Sequence, residues 1–150
     1  MTATDNGPIP KPAKRKKAKK AKAVKMKHCD AVWRQCIRLM FKGRCAVCDK
    51  EDGQLDCHHL ISRAAHFYRH NLNNGVLLCA RCHKFNPKLS AHAAPWSFDD
   101  FMAARLPEIW TWWAKNRNEI HPAPKIDYAA VLQNLKDELA KLEAAKPQGD

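Results

Sequence analysis

The sequence predicts an α+β fold built around two strands, on three observations. Two Cys-x-x-Cys pairs, Cys45-Ala-Val-Cys48 and Cys79-Ala-Arg-Cys82, are separated by thirty residues. The interval holds two strand-like runs, Leu55 to Ser62 and Val76-Leu77-Leu78, with the turn-forming Asn73-Asn74-Gly75 ahead of the second. The segments on either side carry apolar residues at helical spacing. The expected organisation is a disordered basic tail over 1–27, a metal-stapled domain over 28–94, and a helical extension over 95–150 packed on that core.

The tail owes its assignment to charge. Residues 1–27 carry ten Lys or Arg and one acid, Asp5, so they hold +9 of the chain's formal +12. Pro8, Pro10 and Pro12 precede Lys14-Arg15-Lys16-Lys17-Ala18-Lys19-Lys20, with little to bury. Such a segment serves as a solvated solubility tail, as a nuclear-localisation signal, or as an arm lying along phosphates through residues such as Lys16 and Lys17. The last reading fits the overall basic balance, which favours nucleic acid ahead of an anionic membrane. No apolar run is long enough to span a bilayer, and no apolar segment follows the N-terminal cations as a secretory signal would require.

Along the rest of the chain, Cys29, Val32, Trp33, Cys36, Ile37 and Met40 lie on one face of a helix that Gly43 should stop. A helix beginning near Cys79 or Ala80 should carry Cys82 and His83 and end before Pro87. Ser97-x-x-Asp100 has the pattern of a capping box. Pro107 suits the first turn of a helix bearing Ile109, Trp110 and Trp113. Asp127 can cap a last helix whose Leu132, Leu135, Leu139 and Leu142 form one stripe, most simply a face docked on the core. Trp96, Trp110, Trp112 and Trp113 read as packing residues rather than base-stacking platforms. Cys29, Cys36 and Cys57 read as buried small apolar side chains. His28 and His121 read as solvated, and His66 and His70 as non-catalytic loop residues near nucleic acid.

The paired cysteines carry the first chemical inference. Each Cys-x-x-Cys turn aims two sulfurs at one point, and two such turns complete a tetrahedron for structural Zn²⁺. A site of this kind has no open position, so it contributes folding energy rather than catalysis. Seven cysteines, four of them so paired, suit a reducing compartment and a metal better than disulfides.

The histidines carry the second. His58 and His59 adjoin on a strand and so face opposite sides of it, one toward a metal and the other toward a water. His83 follows the second knuckle directly, where the zinc site fixes its backbone. A strand and a helix clamped in this way could bring His58 and His83 to one cation. That arrangement supplies the base and the Lewis acid that phosphodiester hydrolysis needs.

The ordered set Cys45-x-x-Cys48, Asp56-Cys57-His58-His59-Leu60-Ile61-Ser62-Arg63 and Asn74-Gly75-Val76-Leu77-Leu78-Cys79-x-x-Cys82-His83 resembles the HNH endonuclease family, with its ββα-metal fold. The zinc-bearing members from bacteriophages and their hosts are the most similar, and Arg69 and Ser90-Ala91-His92 extend the likeness. The resemblance implies that His59 is the general base, that Asn74 holds the hairpin and orients that base, and that His58 and His83 ligate one catalytic cation. Cys45, Cys48, Cys79 and Cys82 take the positions of the structural zinc ligands. It further implies cleavage of DNA to leave a 5′-phosphate.

Two departures qualify the assignment. Many members place a further ligand one turn beyond the closing His, where this chain has Pro87; His92 is the first candidate for that role and Asn86 the second. The His58-His59 doublet stands where Asp-His is commoner, which shifts the choice among Mg²⁺, Mn²⁺, Ni²⁺ and Zn²⁺ toward the softer ions. Arg63 and Arg69 are candidate phosphate clamps, weighed against ordinary surface charge. The reading is a DNA endonuclease of phage or prophage origin, in the bacterial host's cytoplasm, for which packaging, recombination or restriction all fit, with terminase or recombination proteins as potential partners. A non-catalytic zinc-dependent DNA-binding module and an RNA-directed nuclease are the alternatives.

Overall fold

The computed structural model describes residues 23–119, 121 and 125–145. Lys16 and Lys17, with most of the expected basic tail, lie outside the described residues. The fold is α+β: a two-stranded antiparallel hairpin and a short helical turn, tied to a four-cysteine cluster and surrounded by four helices.

Helix α1 spans Met26–Met40 and starts three residues before the apolar stripe does. Cys29, Trp33, Cys36 and Ile37 are its buried residues, the stripe that the spacing predicts. Gly43, at φ +69°, ends it; its N–H reaches back to the Arg38 carbonyl at 2.8 Å. The first knuckle follows at once. Its turn is closed by Cys45 N–H to Lys50 O (2.8 Å) and Asp49 N–H to Cys45 O (2.9 Å).

Strand β1 (Leu55–His59) pairs with β2 (Gly75–Cys79), from Leu55 opposite Cys79 to His59 opposite Gly75. Strand β1 is shorter than the expected run to Ser62. Past Leu60 the main chain leaves its partner, and the Asn74 side chain takes up both polar groups of Ile61 instead. Strand β2 is buried along its length, because α1 covers one side of it. Ala46 N–H donates to Leu77 O at 2.8 Å and docks the first knuckle beside β2, so the hairpin and both knuckles form one unit.

The helix expected after Cys79 contracts to a single π-helical turn, Arg81–Phe85, closed by Asn86 N–H to Arg81 O at 2.9 Å. Helix α2 (Pro95–Arg105) begins with Pro95 in its first turn and no side-chain cap, so Ser97 and Asp100 sit inside the helix rather than forming the expected capping box. Helix α3 (Pro107–Asn116) carries Pro107 in its first turn, as expected, and the Trp110 indole donates to Asp99 at 2.7 Å to join α3 to α2. Helix α4 (Tyr128–Ala144) is capped by Asp127 Oδ1, which accepts from the Ala129 and Ala130 amides. It packs on α1 through Leu135, and the Cys29 and Cys36 thiols donate to the Tyr128 and Leu135 carbonyls.

Three expectations about burial need correction. Trp96 is 85% exposed, on the side of α2 away from Phe98, which is buried. Cys57 is only half-buried, because its strand face opens on a cleft. His121 is not solvated: its ring stacks on Phe67 at 4.1 Å and meets the Tyr68 hydroxyl.

Candidate metal centres and active site

The four knuckle cysteines present sulfurs that all lie within 4.8 Å of one another. Cys48 Sγ and Cys79 Sγ are 3.7 Å apart. A tetrahedral zinc with bonds of about 2.3 Å requires a sulfur–sulfur spacing of about 3.8 Å. Donor type, number and spacing therefore fit structural Zn²⁺, which these four side chains could hold with no position left for substrate.

A second cluster gathers three histidines. His58 Nδ1 lies 3.1 Å from His83 Nε2, which lies 3.2 Å from His92 Nε2. Imidazole nitrogens bound tetrahedrally to an ion such as zinc stand about 3.3 Å apart. The three rings are tilted or edge-on to one another, and so converge on a point rather than stack. Strand alternation delivers His58, the π-helical turn delivers His83, and a loop delivers His92. That loop is laid against the turn by two main-chain bonds, Ala91 N–H to Cys82 O (3.0 Å) and His92 N–H to His83 O (3.1 Å). Asn86, the other candidate for the third ligand, is turned elsewhere: its Oδ1 accepts from Lys88 N–H, and it lines the cavity beside the cysteine cluster.

The electrostatics suit a cation. Burial pushes the His58 pKa down to about 3, and the neighbouring His83 and His92 push in the same direction. Burial also lowers His92, again helped by His83. Neutral imidazoles are the form that binds metal. Asp56 Oδ2 accepts from His83 Nδ1–H at 3.1 Å, which leaves the Nε2 lone pair facing the cluster. A hydrogen bond from Gln54, first, and the contact with His83 hold the Asp56 carboxyl below its ordinary pKa, so it stays an acceptor. Asp56 was not singled out in the sequence, yet it sits two residues before His58 and therefore on the same strand face.

His59 faces the opposite way. Its ring stacks on buried Trp33 at 4.0 Å, only 16° from parallel. Its Nε2 is 3.0 Å from the Arg69 main-chain oxygen. A carbonyl can only accept, so Nε2 carries the proton and Nδ1 is the free lone pair. Burial lowers its pKa to about 4 and keeps the ring neutral near pH 7. His58, His59, His83 and His92 all line one cleft of ≈ 760 Å³, together with Asp56, Arg34, Arg63 and Lys84.

Two sequence-derived site residues are engaged by the protein itself. Asn74 is fully buried and outside the cleft lining. Its Oδ1 accepts from Ile61 N–H (2.6 Å), and its Nδ2 donates to Ile61 O and Tyr68 O (both 3.1 Å). It pins the loop after β1 from within the hairpin. Arg69 is not a free phosphate clamp: Nε and Nη2 are bound to the two oxygens of Asp30, and Nη1 to Arg63 O. His70 likewise turns to Asp30, at 2.8 Å, and is nearly buried rather than open to a nucleic acid. Arg63 is exposed at the cleft, and exposed Arg34 and Lys84 join it there, a pair that the sequence pattern did not single out.

Residues 45–86 match a protein-family model described as HNH endonuclease. No curated protein matches the chain. No solved structure matches it either. Among the described residues, no helix is long and apolar enough to cross a membrane.

Proposed function

We propose that this chain, whose residues 45–86 match the HNH family, is a metal-dependent endonuclease that hydrolyses DNA phosphodiester bonds. The observation that carries the reading is the cleft in which three converging imidazole nitrogens stand beside a separate, neutral imidazole with a free Nδ1. A plain zinc-stapled binding module has no need of that second cluster.

In this reading His58, His83 and His92 hold one divalent cation, and Asp56 keeps His83 in the tautomer that can do so. When bound, that cation supplies positive charge for the scissile phosphate and the departing 3′ oxygen. His59 Nδ1 takes a proton from the attacking water, leaving a 5′-phosphate and a 3′-hydroxyl. The Arg69 carbonyl stabilises the imidazolium that forms, because Nε2–H already points at it. Trp33 excludes water from one face of the ring and fixes its plane. Arg63, Arg34 and Lys84 contact flanking phosphates, and Lys16 and Lys17 of the tail add affinity without sequence choice. The two knuckles hold structural zinc. The nitrogen-rich ligand set favours Mn²⁺, Ni²⁺ or Zn²⁺ over Mg²⁺. The setting is phage or prophage DNA metabolism in a bacterial cytoplasm.

Incubation of supercoiled plasmid with the zinc-loaded protein and a series of Mg²⁺, Mn²⁺, Ni²⁺ and Zn²⁺ tests the proposal. Nicked or linear product is expected, with His59→Ala retaining DNA affinity and losing cleavage by at least about 100-fold. Wild-type protein that binds plasmid and leaves it intact with every metal refutes it.

A further inference from the structure

We propose that Asp30 of α1 is a positioning residue for His59 and acts through Arg69. The proposal rests on the reading of His59 as the base but is testable apart from it. His59 has two supports, the Trp33 indole beneath its ring and the Arg69 carbonyl on Nε2–H. The carbonyl belongs to the connection between β1 and β2, which has no ladder partners to hold it. A loop carbonyl orients a ring only as firmly as the loop itself is anchored.

Asn74 holds the loop at Tyr68 O, and Asp30 anchors it at Arg69 itself. Asp30 Oδ1 accepts from Arg69 Nε at 2.8 Å and Asp30 Oδ2 from Arg69 Nη2 at 2.9 Å, a two-point fork that fixes both distance and plane. The third guanidinium nitrogen, Nη1, donates to Arg63 O at 3.0 Å and ties the loop to itself. Every nitrogen of the Arg69 side chain is thus engaged, and the same residue's main chain presents the acceptor for His59. The carboxylate stands on a helix rather than a loop, three residues before Trp33 and next to fully buried Cys29. Helix α1 therefore holds the base twice, by its face through Trp33 and by its edge through Asp30 and Arg69. The Asp30 and Arg69 side chains are 17% and 13% exposed, so water competes little for the pair.

His70 separates positioning from general support. Its Nε2 shares Asp30 Oδ1 at 2.8 Å, yet its side chain has no link to His59. Removing it weakens the Asp30 cluster without freeing the Arg69 carbonyl.

The experiment compares Asp30→Asn, Arg69→Ala, the double variant and His70→Gln, each zinc-loaded and below its melting temperature. Long-range ¹H–¹⁵N NMR of the histidine rings reports the His59 tautomer and needs no turnover. Plasmid-nicking kinetics with Mn²⁺ report kcat and KM. Wild type should show one His59 tautomer, protonated on Nε2. Asp30→Asn and Arg69→Ala should each mix the tautomers and lower kcat about tenfold with KM unchanged, since a misaligned base loses part of its contribution. The double variant should be no worse than either single one, and His70→Gln should keep both the tautomer and kcat. An unchanged tautomer in both single variants, or kcat losses that multiply in the double variant, overturns the proposal. A wild-type protein that cuts nothing defeats the nuclease reading alone, and the tautomer comparison still decides the role of Asp30.

Discussion

Gly75→Ala should be among the most damaging small substitutions in the chain. Gly75 opens β2 opposite His59, where the strand passes directly beneath α1. Its backbone is ordinary extended chain, so conformational freedom is not the reason for glycine. The reason is space: a Cβ there would lie 2.5 Å from Ile37 Cδ1, 2.6 Å from Trp33 Cζ2 and 2.8 Å from Ile37 Cγ1. Both neighbours are buried, and the Trp33 indole is fixed further by its Nε1–H bond to Asn71 O at 3.0 Å. Overpacking a close-fitted interior costs about 1–3 kcal/mol, and three contacts against two immobile side chains put this case near the upper end, about 3 kcal/mol. Trp33 and Ile37 must shift to relieve the contacts, and the Trp33 ring carries His59. Denaturant unfolding at fixed free zinc measures the stability loss, and plasmid nicking measures the second consequence, a fall in kcat. Ile37→Val removes the closest methyl and should restore part of both. A Gly75→Ala protein within about 0.5 kcal/mol of wild type would refute the packing argument, since that is the scatter of neutral surface substitutions.

Two further predictions concern charge and metal. Equilibrium dialysis in excess Zn²⁺ should find two ions per chain in wild type and one in His58→Ala; two ions in that variant would separate His58 from the second cluster. Asp30→Asn should cost about 2 kcal/mol, because hydrogen bonds first from Arg69 and then from His70 hold the Asp30 pKa at about 2 against an ordinary 3.8. A depressed carboxyl contributes stability that is complete above its unfolded pKa and is lost as the pH falls through the folded one. The difference between wild type and Asp30→Asn should therefore be flat from pH 8 to 5. A difference that grows as the pH falls from 8 to 6 would assign the effect to His70 instead, since only a protonated His70 pairs ionically with the Asp30 carboxylate.

The parts of this structure legible in the sequence share one property, a short repeat. The Cys-x-x-Cys pairs, the three-and-one stripe of α1 and the strand alternation that splits His58 from His59 are local patterns set by backbone geometry, and each appears where its period puts it. Asp56 obeys the same alternation and was readable on that ground. The features that were not legible depend on long separations or on main-chain detail. Pro87 forbids a longer helix, but nothing local indicates that the turn before it is π-helical, or that two main-chain bonds fold His92 back beside His83. Arg69 looks like any exposed arginine until Asp30, 39 residues earlier, is known to stand opposite it. Trp96 follows the helical spacing of a core residue, yet α2 begins two residues earlier than its expected cap and carries the indole outward.

The same distinction bears on where the functional unit ends. The family match begins at Cys45, but the environment of His59 is made by residues ahead of it. Trp33 covers the ring, Asp30 holds the residue that accepts its proton-bearing nitrogen, and Ile37 fills the space that Gly75 leaves open. All three belong to α1, ahead of the first knuckle, so the residues that surround the base come from outside the cysteine-bearing segment. Helix α4 in turn packs on α1, with the Cys29 thiol reaching the Tyr128 carbonyl one residue from Asp30. On the proposed reading the matched segment supplies the base and two of the three metal ligands, His92 lies just beyond it, α1 supplies the orientation that makes a base of one histidine among four, and α4 packs on α1. Catalytic competence on this reading is a property of residues 26–144 together, since the short motif contains the base but neither His92 nor the α1 residues that hold the base in place.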